Sequence, residues 1–477
     1  MVSIIDKPFQ LLGDKVGVSL DLIETLACLI LAYPLSLLLR KIKTPKYRNL
    51  YCFTLGICYL VHLQDMIMHY SSYSMRINSA IMIPCILLSS FAYNYYDGTR
   101  NKKATISQKQ LSFSEYPPLL EYLAYLLNFN TILVGPPSNF KDFQRFINRE
   151  DIKEINTQYR KKNSTAGSKL IDNSIQIGLK TLLIAIMFLI LHLVTSKYFT
   201  LEDIMEDNFI RRPFIIRLLL IHVIGSGQRF KYYLGMTMAE GSNILSGYGI
   251  NGYNYQTGKI KWDKNKNVYP IKCEAMDTIF LAPKIWNIKV SNWLRDYIYD
   301  RIVIKTTTPE TIDEKKDDQK TKPPRMKKKN TFLGTGVTFF VSAIWHGVYP
   351  GYYCTFITWF LLTLSARVIR KNIRTFFITS EGKAIQPFKK IYDIICYIST
   401  QCVLDIMGFP LLLMTKNRIL RFYHTINYWP FYIIPPLLIF FKIPIFVKYI
   451  GVIRNIWLGL ITKKDQIVNK KNVVPIR

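Results

Sequence analysis

The sequence predicts an all-α polytopic membrane protein, on three observations. Nearly half of the 477 residues are apolar (49%) and mean hydropathy is positive, at +0.11. The apolar residues gather in long runs rather than in amphipathic stripes, as membrane-crossing helices require. The runs are separated by polar segments rich in Lys and Arg, which number 63 against 32 Asp and Glu, a net charge of +31.

The candidate spans, in order, are 18–39, 48–64, 76–96, 117–135, 175–194, 212–226, 331–347, 352–369, 391–414 and 427–449. The interrupted run 229–250 reads as re-entrant or buried by other helices, giving about nine to eleven spans. The first run begins late and is too long for the core of a cleavable leader. The loop 40–48 is basic, as is the tail 463–477. The excess of positive charge on cytosolic loops then implies a lumenal N-terminus and a cytosolic C-terminus. In a soluble chain, +31 would suggest a nucleic-acid partner. In a membrane protein it suggests a cytosolic face that meets anionic lipid and attracts polyanionic substrates, with no nucleic acid involved.

Residues 1–477 are expected to form one membrane-embedded domain. Segment 305–330 is charged, contains proline and is almost free of apolar residues, so it is expected to be a disordered loop. The eight cysteines show no C-x-x-C spacing and read as free thiols.

Four clusters carry the chemistry. Gly135-Pro136-Pro137 forces a turn after an apolar run, with Phe140 and Phe143 beyond it. Glu240-Gly241 precedes Gly247, Gly249, Gly252 and Tyr253, at spacings that match neither the P-loop nor the dinucleotide fingerprint. Trp286-Asn287 precedes Trp293, Arg295 and Arg301. An asparagine side chain can both donate and accept, which suits an oxyanion or a substrate hydroxyl; an ordinary helix cap is the plainer alternative. Trp345-His346-Gly347, followed by Tyr349-Pro350-Gly351, places an imidazole inside an apolar run. A neutral histidine there can take a proton from an attacking hydroxyl; the plainer alternative is a core histidine bonded to a carbonyl. No G-x-S-x-G elbow and no catalytic cysteine context occurs, so direct transfer fits better than a covalent acyl-enzyme. The histidines lack metal-ligand spacing, and no metal is expected.

Together these clusters resemble the membrane-bound O-acyltransferase family, in its lysophospholipid acyltransferase branch. The residues that carry the resemblance run in order from Ser89 to about Leu364: Ser90-Phe-Ala-Tyr-Asn94 with Asp97-Gly98, Gly135-Pro136, Lys231-Tyr-Tyr233, Ala239-Glu-Gly241, Ser246 to Gly252, Trp262-Asp263 with Asn267-Val268, Trp286-Asn287, Trp293-Leu294 and Ser342 to Tyr352. The resemblance implies helices around a central catalytic tunnel in the endoplasmic reticulum membrane. It implies transfer of a fatty acyl group from acyl-CoA, a co-substrate, to a lysophospholipid hydroxyl, with no cofactor. His346 and Asn287 fall on the family's catalytic pair. Glu240, Trp286, Trp293, Arg295, Trp345, Tyr349 and Tyr253 are expected to contact substrate. The alternatives are another acceptor (diacylglycerol, sterol or protein) or a non-enzymatic lipid transporter. The sterol and diacylglycerol branch carries an F-Y-x-D-W-W-N signature that is missing here, and no paired interrupted helices suggest a transporter.

Overall fold

The computed structural model describes residues 20–69, 75–100, 105–162, 172–303, 305–307, 326–328, 330–379 and 382–471. The main helices are α1 (Leu20–Lys41), α2 (Pro45–His69), α3 (Met75–Thr99), α4 (Leu119–Leu126), α5 (Phe140–Ile147), α6 (Glu150–Lys162), α7 (Ser174–Tyr198), α8 (Phe214–Ser246), α9 (Ile288–Leu294), α10 (Thr331–His346), α11 (Pro350–Asn372), α12 (Phe388–Leu413), α13 (Lys416–Thr425), α14 (Trp429–Phe440) and α15 (Pro444–Lys471). The fold is all-α, as expected. Among the described residues, one small sheet pairs Lys305–Thr307 antiparallel with Met326–Lys328. That ribbon closes the ends of the segment expected to be a loop; residues 308–325 between its strands lie outside the described residues.

Five described helices are long and apolar enough to cross a membrane: Leu22–Lys41, Ser174–Met205, Pro350–Asn372, Phe388–Leu413 and Pro444–Ile461. That is fewer than nine to eleven. Helices α2, α3 and α8 have the length, at 25, 25 and 33 residues, but their apolar runs are interrupted by charged and amide residues. Three spans read from sequence are corrected. Runs 212–226 and 229–250 form one continuous helix, α8. Run 427–449 breaks between α14 and α15, before Pro444. Run 117–135 yields only the eight residues of α4. Beyond it, Asn128 and Asn130 are buried and the chain turns, with Asn128 Oδ1 accepting from the Asn130 N–H at 3.2 Å.

The chain forms two compact units: Met1–Tyr198, Ser226–Pro270 and Pro283–Gly347 in the first, and Phe199–Gly225, Ile271–Ala282 and Val348–Arg477 in the second. The core of the first is aromatic. Phe140, Phe143 and Phe146, at helical spacing on α5, are all buried. They pack with Phe91, Tyr125 and Tyr248 at centroid distances of 4.4–6.2 Å. A fully buried phenylalanine contributes about 2 kcal/mol, so this stripe alone fixes α5. Arg48 is buried beside it, its guanidinium 4.7 Å from the Phe146 ring and donating to the carbonyls of Leu39 and Phe146.

The second unit packs α11 against α12, with Leu362 and Trp359 meeting Met407 and Val403. A further cluster joins Phe409, Phe422, Tyr423, Ile221 and Ile204. Inside this unit His222 Nδ1 lies 2.9 Å from the buried Asp405 carboxylate.

Candidate active site

The site is built in the first unit from two antiparallel helices. Helix α9 continues through a π-helical turn, Arg295–Tyr299, to Asp300–Ile302. Its far end meets the start of α10: a Cβ on Gly334 would lie 2.5 Å from Val303 and 3.4 Å from Tyr299. Its near end meets the close of α10, where the Trp293 and Trp345 rings sit 6.1 Å apart. Val290, Leu294 and Val341 fill the seam. The antiparallel run therefore brings Asn287, which caps the start of α9, to the same end as His346, the last residue of α10. Interruptions to α-helical winding of this kind are frequent at functional sites.

His346 is half-buried, with its ring edge-on to Trp345 at 4.7 Å. The Trp345 Nε1–H donates to the Met82 carbonyl at 2.9 Å, which fixes the indole and with it the end of the helix. Gly347 follows at φ 124°, a conformation open to glycine, and its N–H closes α10 on Ala343 and Ile344. The Trp-His-Gly order is therefore a helix stop that delivers an imidazole to the helix end.

Asn287 stands at φ 43°, ψ 52°, in the left-handed region that asparagine tolerates better than most residues. Its side chain accepts a hydrogen bond from Asn267 Nδ2 at 3.2 Å. Asn267, 2% exposed, also accepts from the Ile288 N–H through its carbonyl and from the Lys289 N–H through Oδ1, both at 3.0 Å. Trp286 is set edge-on against Tyr232 and Tyr233 of α8. Lys289, two residues beyond Asn287, has its ammonium held below the ordinary lysine range by burial, with Asp142 pulling it back up.

The helix α3 supports this assembly as a ladder. Ser89 Oγ accepts from Trp293 Nε1 at 3.1 Å, and Asn94 Oδ1 accepts from the Tyr297 hydroxyl at 2.8 Å. Asp97 takes both guanidinium nitrogens of Arg301, at 3.1 and 2.5 Å. Arg301 also lies over the Tyr93 ring at 4.2 Å.

The residues expected in the site divide into three groups. Trp293, Trp345 and His346 are in ring contact, and Trp286 and Asn287 stand at the start of α9, the end of the helix pair at which α10 closes. Glu240 is buried and takes both its bonds from Lys266 Nζ, at 2.7 and 3.0 Å, next in the chain to Asn267. The other three make contacts of their own. Arg295 is 57% exposed and paired with Asp296. Tyr253 packs against Tyr159 and Tyr255. Tyr349, in the second unit, packs edge-on to Tyr352. Sequence reasoning quoted Asn267 and Asp97 only as parts of motifs. Their jobs are contacts across long sequence separations, and the signal available was a run of polar residues, Asn265 to Asn267, in a segment otherwise rich in aromatics.

The chain matches the membrane-bound O-acyltransferase family over residues 65–310 and 323–409, and it belongs to that family. It is thus an O-acyltransferase. Among its relatives, the lysophospholipid acyltransferase of Schizosaccharomyces pombe is 28% identical, over 88% of this chain and 86% of the relative. Membrane-bound glycerophospholipid O-acyltransferase 2 of Gallus gallus is 31% identical over 78% of this chain and 67% of the relative. The lysophospholipid acyltransferase of Saccharomyces cerevisiae is 30% identical over 74% of this chain, which spans 55% of that relative.

Proposed function

We propose that this protein is a lysophospholipid acyltransferase that moves a fatty acyl group from acyl-CoA to the free hydroxyl of a lysophospholipid. The observation that carries the reading is the 28% identity, over most of both chains, with a relative named for that activity. The site geometry supports it: an imidazole and an amide are held at one end of two packed helices, with no serine or cysteine nucleophile needed between them.

The neutral His346 takes the proton from the lysophospholipid hydroxyl as its oxygen attacks the thioester carbonyl. A tetrahedral intermediate forms, and Asn287 either orients the attacking hydroxyl or steadies the oxyanion, the latter an effect worth about 3 kcal/mol for one good donor. Collapse breaks the carbon–sulfur bond. The CoA thiolate leaves and takes the proton from the imidazolium. Basic loops on the cytosolic face gather the CoA phosphates, and the enzyme resides in the endoplasmic reticulum membrane with its C-terminus cytosolic.

The test is thiol release from acyl-CoA by the purified protein in lipid micelles. Release that depends on an added lysophospholipid is expected. Release only with diacylglycerol, sterol or peptide acceptors would move the protein to another branch of the family.

A further inference from the structure

The geometry points to Asn267 as a positioning residue that sets which end of the Asn287 amide faces the substrate. The inference rests on the reading of Asn287 and His346 as the catalytic pair and decides between two roles that reading leaves open to Asn287. An asparagine beside a reacting hydroxyl can accept its proton-bearing end or donate to the oxyanion; its two side-chain atoms have opposite characters.

The orientation follows from a backbone group whose character is fixed. The Lys289 N–H can only donate, so the Asn267 atom that meets it at 3.0 Å is the carbonyl oxygen Oδ1. The other Asn267 atom is then the NH2 group, a donor. The Asn287 atom that receives it at 3.2 Å is therefore Oδ1. That leaves the donor end, Asn287 Nδ2, with no hydrogen-bond partner among the described residues. Asn267 itself is buried and held by a second contact, its carbonyl accepting from the Ile288 N–H. Asn267 thus holds the left-handed turn through the Asn287 side chain and through the two residues that follow it. Asn287 presents an amide donor, preset before substrate arrives, which is what a developing oxyanion needs and an attacking hydroxyl does not. Glu240 extends the support, since its partner Lys266 is the residue before Asn267.

Four variants test this, with turnover and KM measured for acyl-CoA and lysophospholipid and melting followed in the same micelles. Asn287→Asp keeps the atom that Asn267 holds and replaces the donor end by an acceptor. Its turnover is expected below that of Asn287→Ala, which merely removes the donor at a cost of about a hundredfold. Asn267→Asp can still accept from Lys289 but repels Asn287 Oδ1 and turns the amide over. It is expected to lose more turnover than Asn267→Ala, with KM within about twofold of the native value. A general structural role would instead make turnover follow melting, with Ala the worse of the two. Asn287→Asp equal to or better than Asn287→Ala overturns the proposal, as does Asn267→Asp with native turnover. If Asn267→Asp does not fold, the Asn287 comparison decides alone. Retained activity in both Asn287→Ala and His346→Ala is a different result: it removes the catalytic pair itself.

Discussion

Asp97 is 1% exposed at its side chain and takes both guanidinium nitrogens of Arg301, itself only 17% exposed. Removing one partner of such a pair leaves the other charged and unpaired in the interior, a cost of about 3–5 kcal/mol. Asp97→Ala is therefore expected to melt well below the native protein in detergent, and an unchanged melting temperature would remove Arg301 as the anchor of the α9 ladder. The neighbouring rung is weaker. Tyr297→Phe loses hydroxyl bonds to Asn94 and Asn139, at 2.8 and 3.2 Å, and is expected to cost about 1–2 kcal/mol in the same assay. At this scale the sequence reads unevenly. His346 stood out because an ionisable side chain in an apolar run is costly, and Asn287 through the family resemblance that Trp286-Asn287 carries. The partner of Glu240 was hidden among the many lysines of a +31 chain. Asn267 was hidden because nothing in a sequence reveals that one amide lies against another twenty residues on.

Helix α2 passes so close to the end of α4 that a Cβ on Gly56 would lie 1.7 Å from the Leu127 carbonyl oxygen. That atom belongs to the backbone and cannot swing aside, so the helix must shift. Gly56→Ala is expected to destabilise by more than about 1 kcal/mol, read as a lowered melting temperature, whereas Gly408→Ala on α12, which meets nothing within 4 Å, should not. Elements were legible where one rule acted alone. The apolar run 175–194 gave α7 to within four residues at its end, because its central stretch from Leu182 to Leu191 carries no polar side chain. Run 117–135 misled because hydropathy averages over Asn128 and Asn130, which bury their amides and let the chain turn. Runs 212–226 and 229–250 were read as separate, yet α8 continues through Ser226, Gly227 and Gln228. Gly227 instead permits close approach: its carbonyl lies 2.9 Å from His192 Nδ1, and a Cβ there would meet the Thr195 hydroxyl at 2.6 Å.

For the whole molecule, the net charge of +31 bears on how the proposed acyl-CoA is gathered. Exposed charges are screened within about 8 Å at physiological salt. Raising ionic strength is therefore expected to increase KM for acyl-CoA and leave turnover at saturation unchanged; a salt-independent KM would mean that the basic loops serve lipid contact alone. Fold class and reaction class were legible at this scale because hydropathy and ordered motifs both survive over the whole chain. The division into two compact units was not, since no composition shift marks the junctions near 198, 225 and 347. The role of His346 in acyl transfer to a lysophospholipid is read from product formation with labelled acyl-CoA and a panel of lysophospholipids, in membranes holding the native protein or His346→Ala at equal amounts. A labelled diacyl phospholipid is expected from the native protein and background from the variant. Equal product from both would remove His346 from the chemistry.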